Sequence, residues 1–177
     1  MRKKTLIASA LLGATAFSLA VALPANADSI ESVGTVEVAS GVLSTTATPT
    51  FALTDAAPGE LATGTSAVSV SDLRAGILGW TTSVASTDFT SALLVAAGAN
   101  GTIPASAVTF TTGVATASTG TPTLTNTDAP AGGGVVVTAT DVSGNNVSTW
   151  DETINLTIPE TALSSDDYVG TITYSTL

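Results

Sequence analysis

The sequence predicts an all-β protein, a two-sheet antiparallel sandwich that follows a cleaved signal peptide. Three observations predict it. β-Branched residues alternate with small polar ones over most of the chain, a pattern favoured on a pleated surface and poor at sustaining helices. Clusters of Gly, Pro and Asn interrupt these runs at short intervals, as turns between short strands do. The first residues carry the charge and apolar pattern of an export signal.

The signal comes first. Met1-Arg2-Lys3-Lys4 supply a positive start, Thr5 to Leu23 a mostly apolar run, and Pro24-Ala25-Asn26-Ala27 its close. Small residues at Ala25 and Ala27 suit the narrow pockets of signal peptidase, so cleavage is expected between Ala27 and Asp28. The competing reading is a retained anchor, since the apolar run approaches the roughly 20 residues that span a bilayer. The small-x-small site and the polar sequence after it favour cleavage. The expected organisation is a signal peptide at 1–27, a short N-terminal leader at 28–34 and a single β-sandwich domain at 35–177. The 150 residues left after cleavage are enough for one substantial core.

Strands are then read from alternation. Thr35-Val36-Glu37-Val38, Ala67-Val68-Ser69-Val70 and Val108-Thr109-Phe110 alternate cleanly. Near the end, Ile154, Leu156 and Ile158 point one way and Thr153, Asn155 and Thr157 the other, which marks a core face. Between the runs stand Pro58-Gly59, Gly98 to Gly101, Gly132-Gly133-Gly134 and Gly144-Asn145-Asn146. Ser91 to Ala97 reads as a helix or a bulged strand. Gly113 to Gly134 is poor in bulky residues and reads as a long loop or a weak sheet edge. Asn100-Gly101 supplies a positive-φ turn.

Charge excludes several functions. The signal holds three of the four basic residues, leaving Arg74 alone against all 14 carboxylates. Such a chain repels phosphate backbones and anionic lipid, which argues against nucleic acid and, after signal cleavage, against the membrane as partners. Cys and His are absent, and Lys is absent after residue 27. That removes the thiol nucleophile, the imidazole base, the usual soft metal ligands and lysine-derived crosslinks. No cofactor and no metal site is expected. Thr171 to Leu177 reads as a strand with no sorting signal, so attachment to a cell is expected to be noncovalent.

Carboxylates are the remaining candidates for chemistry. Asp151-Glu152 and Asp166-Asp167 are the closest pairs, but strand neighbours face opposite ways, and both pairs read as solvated. Asp141-Val142-Ser143-Gly144-Asn145-Asn146 offers oxygen ligands around a Gly but lacks the spacing and terminal Glu of a calcium loop; it reads as a hairpin turn. Catalysis is not expected.

The few aromatic residues are informative by position. Trp80 opens Thr81-Thr82-Ser83-Val84, Trp150 precedes a core strand, and Tyr168, Ile172 and Tyr174 share one face. Tyr168, just after Ser164-Ser165-Asp166-Asp167, is placed to hydrogen-bond back across a sandwich corner. Core packing is the ordinary use of such rings. The alternative is an exposed platform that stacks on sugar rings.

Two stretches resemble a family, the WxL-domain cell-surface proteins of Gram-positive bacteria and their actinobacterial relatives. The first is Val70-Ser71-Asp72-Leu73-Arg74-Ala75-Gly76 leading to Gly79-Trp80-Thr81-Thr82-Ser83-Val84 and Asp88-Phe89-Thr90. The second is Trp150 through Leu156-Thr157-Ile158-Pro159, then Tyr168-Val169-Gly170-Thr171-Ile172-Thr173-Tyr174-Ser175-Thr176-Leu177. The name motif departs from the family, with Trp80-Thr81-Thr82 for Trp-x-Leu and Tyr174 at the terminal Trp position. The resemblance implies an Ig-like fold and noncovalent association with peptidoglycan or another wall polymer. The expected protein is therefore secreted and extracellular at the wall, with Trp80, Trp150 and Tyr174 as wall-binding residues. The rival expectation is a subunit of an extracellular fibre or biofilm matrix, self-associating or joining other surface proteins by strand pairing, with the segment before Thr35 as donor.

Overall fold

The computed structural model describes residues 33–177; the expected signal peptide, its cleavage site and Asp28 to Ser32 of the leader lie outside them. In chain order the strands are β1 (Leu43–Ala47), β2 (Leu61–Asp72), β3 (Trp80–Ser86), β4 (Phe89–Ser91), β5 (Thr102–Ile103), β6 (Val108–Thr112), β7 (Thr116–Thr119), β8 (Thr123–Asn126), β9 (Gly133–Thr140), β10 (Asn146–Thr157), β11 (Tyr168–Val169) and β12 (Ile172–Thr176). A five-residue helix, α1 (Ala92–Ala96), follows β4. The chain is mostly β and its sheets are antiparallel, as expected.

One sheet runs β1-β2-β10-β6, with β7 beside β10 as well; a second runs β12-β3-β9-β8; a small third sheet is β11-β4-β5. The longest pairing is β2 with β10, twelve residues each, from Asn146 opposite Asp72 to Thr157 opposite Leu61. Strict alternation fixes which side chains turn inward: Asn146, Ser148, Trp150, Glu152, Ile154 and Leu156 of β10 are all buried. On β2 the buried set is Ala62, Ser66, Val68, Val70 and Asp72. The second sheet answers with Trp80, Thr82 and Val84 of β3 and with Val136, Val137 and Ala139 of β9. Consecutive Val136 and Val137 are both buried because the β3–β9 register shifts between Thr82 and Ser83. The bulge lets one strand present two neighbours to the same core. Each buried Val or Ile contributes on the order of 1.5–3 kcal/mol. The result is sandwich-like, with one shared core.

Several local expectations change. Thr35 to Val38 alternates like a strand but lies in none, and every residue from Val33 to Val42 is exposed. Alternation alone cannot make a strand without a neighbour to take its backbone bonds. Ser91 to Ala97 takes the helical alternative: Ser91 caps α1 by accepting from the Leu94 N–H. Gly113 to Gly134 takes the edge alternative, as β7 and β8, of four residues each. The positive φ near Asn100-Gly101 falls instead at Gly98 (75°). Asp141 to Asn146 is not a hairpin turn, since β9 and β10 belong to different sheets and the turn carries the chain between them. Asp141 takes φ 52° there and Gly144 69°.

The small sheet matters because it is assembled from three distant segments against the core. Its anchor is Phe89, which is buried and over which the chain passes at Gly170. A Cβ at position 170 would lie 2.6 Å from Phe89 Cδ2, so only Gly allows that crossing without displacing the ring. Gly170→Ala should therefore destabilise the protein by about 1–3 kcal/mol through overpacking. A urea midpoint equal to that of the unsubstituted chain would contradict this account of Gly170.

Candidate functional site

Each of the three aromatic residues singled out in the sequence has a different environment. Trp80 is 2% exposed and Trp150 4%, so neither offers a ring face to a sugar. Both instead donate their indole N–H to buried polar groups. Trp80 Nε1 donates to Asn146 Oδ1 at 3.1 Å, across the two sheets. Asn146 Nδ2 faces Asp72 Oδ2 at 3.4 Å, and Asp72 is held by Arg74 through Nε (2.8 Å) and an Nη (2.9 Å). Arg74 also donates to the carbonyls of Leu78 and Gly79, tying down the loop that leads into Trp80. Hydrogen bonds from Arg74 hold the Asp72 carboxyl below the usual carboxylate range. The Asp-x-Arg turn and the Trp strand are thus one buried clasp.

Trp150 opens a second interior cluster. Its Nε1 donates to Glu152 Oε2 at 3.0 Å, and Glu152 is fully buried between the sheets. The expectation of a solvated Asp151-Glu152 pair therefore holds only for Asp151, because alternation turns Glu152 inward. Burial pushes the Glu152 carboxyl up to about 6, against opposing hydrogen bonds from Trp150 and Thr112. Thr112 Oγ1 stands 2.7 Å from the Thr127 carbonyl and 3.0 Å from Glu152 Oε1. A hydroxyl has one proton for these two acceptors.

Tyr174 is half-buried and lies in an open groove of about 1250 Å3. One wall is the connection between β1 and β2, with Phe51 and Leu53; the other is Tyr168, Ile172 and Tyr174; Ser66 and Leu156 lie at the base. Ser66 Oγ and Tyr174 Oη are buried atoms with no hydrogen-bond partner. Burial pushes the Tyr174 phenol up to about 12, and the Glu152 carboxylate adds to the shift, while the neighbouring Ser66 hydroxyl opposes it without reaching hydrogen-bond geometry. Among the described residues, the only charged ones lining the groove are Asp55 and Asp166.

The aromatic wall is held by local bonds. Tyr168 Oη donates to the Leu163 carbonyl at 3.0 Å, the backward corner bond expected for it. Asp167 accepts from the hydroxyls of Ser91 and Ser165 and from the Leu93 N–H. Those hydrogen bonds, Ser165 first, lower its carboxyl to about 2. Asp167 thus joins the last segment of the chain to the start of α1. Among the described residues no three Asp or Glu side chains converge as a cation site, and no helix is long and apolar enough to cross a membrane.

Sequence reasoning placed Tyr174 but missed Ser66, Glu152 and the groove itself. The signal for Ser66 and Glu152 was present in the inward phase of two long strands, 62–72 and 146–156. The groove depends on contacts between segments more than a hundred residues apart, which periodicity does not encode. Comparison of the chain with protein-family models, with curated proteins and with solved structures finds no match.

Asp72→Ala leaves the Asn146 amide and the Arg74 N–H without their acceptor, and should cost about 2–4 kcal/mol by chemical denaturation. A loss below half a kcal/mol, roughly the noise level of surface substitutions, would remove the clasp from the account. Glu152 predicts a pH dependence of definite sign. Its folded pKa is raised, so its stabilising contribution is full below 4.5 and lost as pH rises through about 6. From this group alone the protein should be about 2 kcal/mol more stable near pH 4.5 than above pH 6. Glu152→Gln should flatten that slope; an unchanged slope in the variant would assign it elsewhere. Asp72 and Asp167 act with the opposite sign, their contributions fading as pH falls below 3.8.

Proposed function

We propose that this is a secreted, extracellular, non-catalytic β-sandwich of Ig-like type, preceded by a cleaved signal peptide, that associates noncovalently with the Gram-positive cell wall by holding an uncharged stretch of wall glycan in the Tyr174 groove. The observation that carries the reading is the pair of unpartnered buried hydroxyls, Ser66 Oγ and Tyr174 Oη, in a groove lined by aromatic rings. Ligand clefts of this kind combine apolar and aromatic walls with a few polar groups that fix orientation. An unsatisfied buried hydroxyl costs about 1–3 kcal/mol, and a ligand's own hydroxyls or amides would recover it.

Charge selects among wall polymers. With only Asp55 and Asp166 charged along the groove, a phosphate-bearing chain is repelled and a neutral sugar backbone is not. The resemblance of Val68 to Leu177 to WxL-domain proteins supports the same destination. In this reading Trp80 and Trp150 act on the wall only by holding the frame, and contact passes to Tyr174. The absence of His and Cys anywhere in the chain, and of Lys after residue 27, supports a role by contact rather than by catalysis.

Cosedimentation of the chain lacking its signal segment with purified walls tests the proposal. The expected result is recovery with the wall pellet, reduced in the double variant Ser66→Ala, Tyr174→Phe. That variant removes two unsatisfied hydroxyls, so its folded state should be as stable as the parent or up to about 1 kcal/mol more so. Full recovery in the supernatant, or undiminished binding by the folded double variant, would defeat the reading.

A further inference from the structure

We infer that the chain pairs with a second copy of itself along β1, in a closed two-fold dimer that joins the β1-β2-β10-β6 sheets of the two copies edge to edge. The two edges of the sheet β1-β2-β10-β6 are treated differently. At the far edge, the outward backbone groups of β6 are satisfied: Phe110 and Ala129 exchange N–H···O bonds, and the Thr112 N–H donates to Asp128 Oδ1. The β1 edge has no such cover. The Thr48 N–H bonds the Ala67 carbonyl, and Val42 O accepts from Leu73, so even-numbered residues of β1 face β2. The N–H and C=O groups of Leu43, Thr45 and Ala47 therefore point outward, without a backbone partner among the described residues.

The devices that normally protect an edge are missing here. Lys, an inward charge, a bulge or Pro within the strand would blunt it. No charged residue lies between Glu37 and Asp55, and the first Pro after Glu37, Pro49, comes after β1 ends. In a chain this acidic, that stretch is where two copies can approach with least repulsion.

The sequence leading into β1 supplies a second, independent observation. Val36, Val38 and Val42 are 89%, 77% and 67% exposed, an apolar approach that leads directly into the open edge. Among the described residues, this strand-like sequence has no ladder, and the edge it joins has no partner beyond β2. Antiparallel pairing of β1 with its own copy about Thr45, Leu43 opposite Ala47 and Ser44 opposite Thr46, satisfies the outward groups of this edge. Because the same patch serves on both copies, the contact closes as a pair rather than running on as a filament. Ser44 and Thr46, exposed on β1, mark the outer face of the joined sheet.

The test is the mass in solution of the chain lacking its signal segment, by sedimentation or light scattering over a concentration series. The expected result is a dimer that dissociates on dilution. The double variant Ser44→Lys, Thr46→Lys places like charges across the two-fold, and Thr45→Pro removes an outward N–H that β2 does not use. Both variants should lose the dimer while keeping the parent's far-ultraviolet spectrum and cooperative unfolding. A monomer at every concentration, a dimer that survives both folded variants, or an open polymer would each overturn the inference. Wall binding through the groove is read separately, so either result can fail alone.

Discussion

The carboxylate of Asp72 is the point at which the two sheets are held in register. It sits at the end of β2, directly opposite Asn146 at the start of β10, and it takes the only cation that follows residue 27. Through Asn146 it reaches the indole N–H of Trp80, the first residue of the second sheet's β3. Three strand ends and one loop thus converge on a single carboxylate that is 2% exposed. Buried charge is tolerated only when paired and fully bonded, and here it is both. The large rings of Trp80 and Trp150 supply area to a core in which Val and Ala are the commonest residues. Their N–H groups set the phase of the strands.

Much of this was legible along the chain. Alternation located β2, β6 and β10 and named Ile154 and Leu156 as core, because a period of two is a direct image of a sheet with one buried face. The Tyr168 corner bond followed from a Tyr placed just after an acidic turn. Other features were misread for physical reasons. Thr35 to Val38 has a strand's pattern but no strand neighbour among the described residues. Glu152 looked solvated because its neighbour Asp151 is, yet adjacent strand residues face opposite media. The 141–146 turn carried hairpin residues but joins two sheets, since turn chemistry sets a local bend and not the partner of the next strand.

The groove is the part that local reading could not reach. It exists because the connection from β1 to β2 stands apart from the last segment of the chain, and because Gly170 lets that segment cross over Phe89. Its hydroxyls belong to the interior of one sheet and the border of the other. The polar interior around Glu152 and the groove are neighbours in charge as well as in space, since the Glu152 carboxylate helps keep the Tyr174 phenol protonated. A groove that holds protonated, uncharged hydroxyls across the biological pH range can offer donors and acceptors to a neutral polymer without changing character.

The order of the strands has a consequence for how such a chain folds. β2 finds its main partner only in β10, and β3 finds one of its two partners only in β12, whose last residue is Thr176. Contacts of such long sequence separation form slowly, because the loop between them must be closed first. A polypeptide made from its N-terminus onward therefore has little to fold onto until the final strand has been added. Slow closure of the core leaves both larger sheets incomplete until nearly the whole chain has been made.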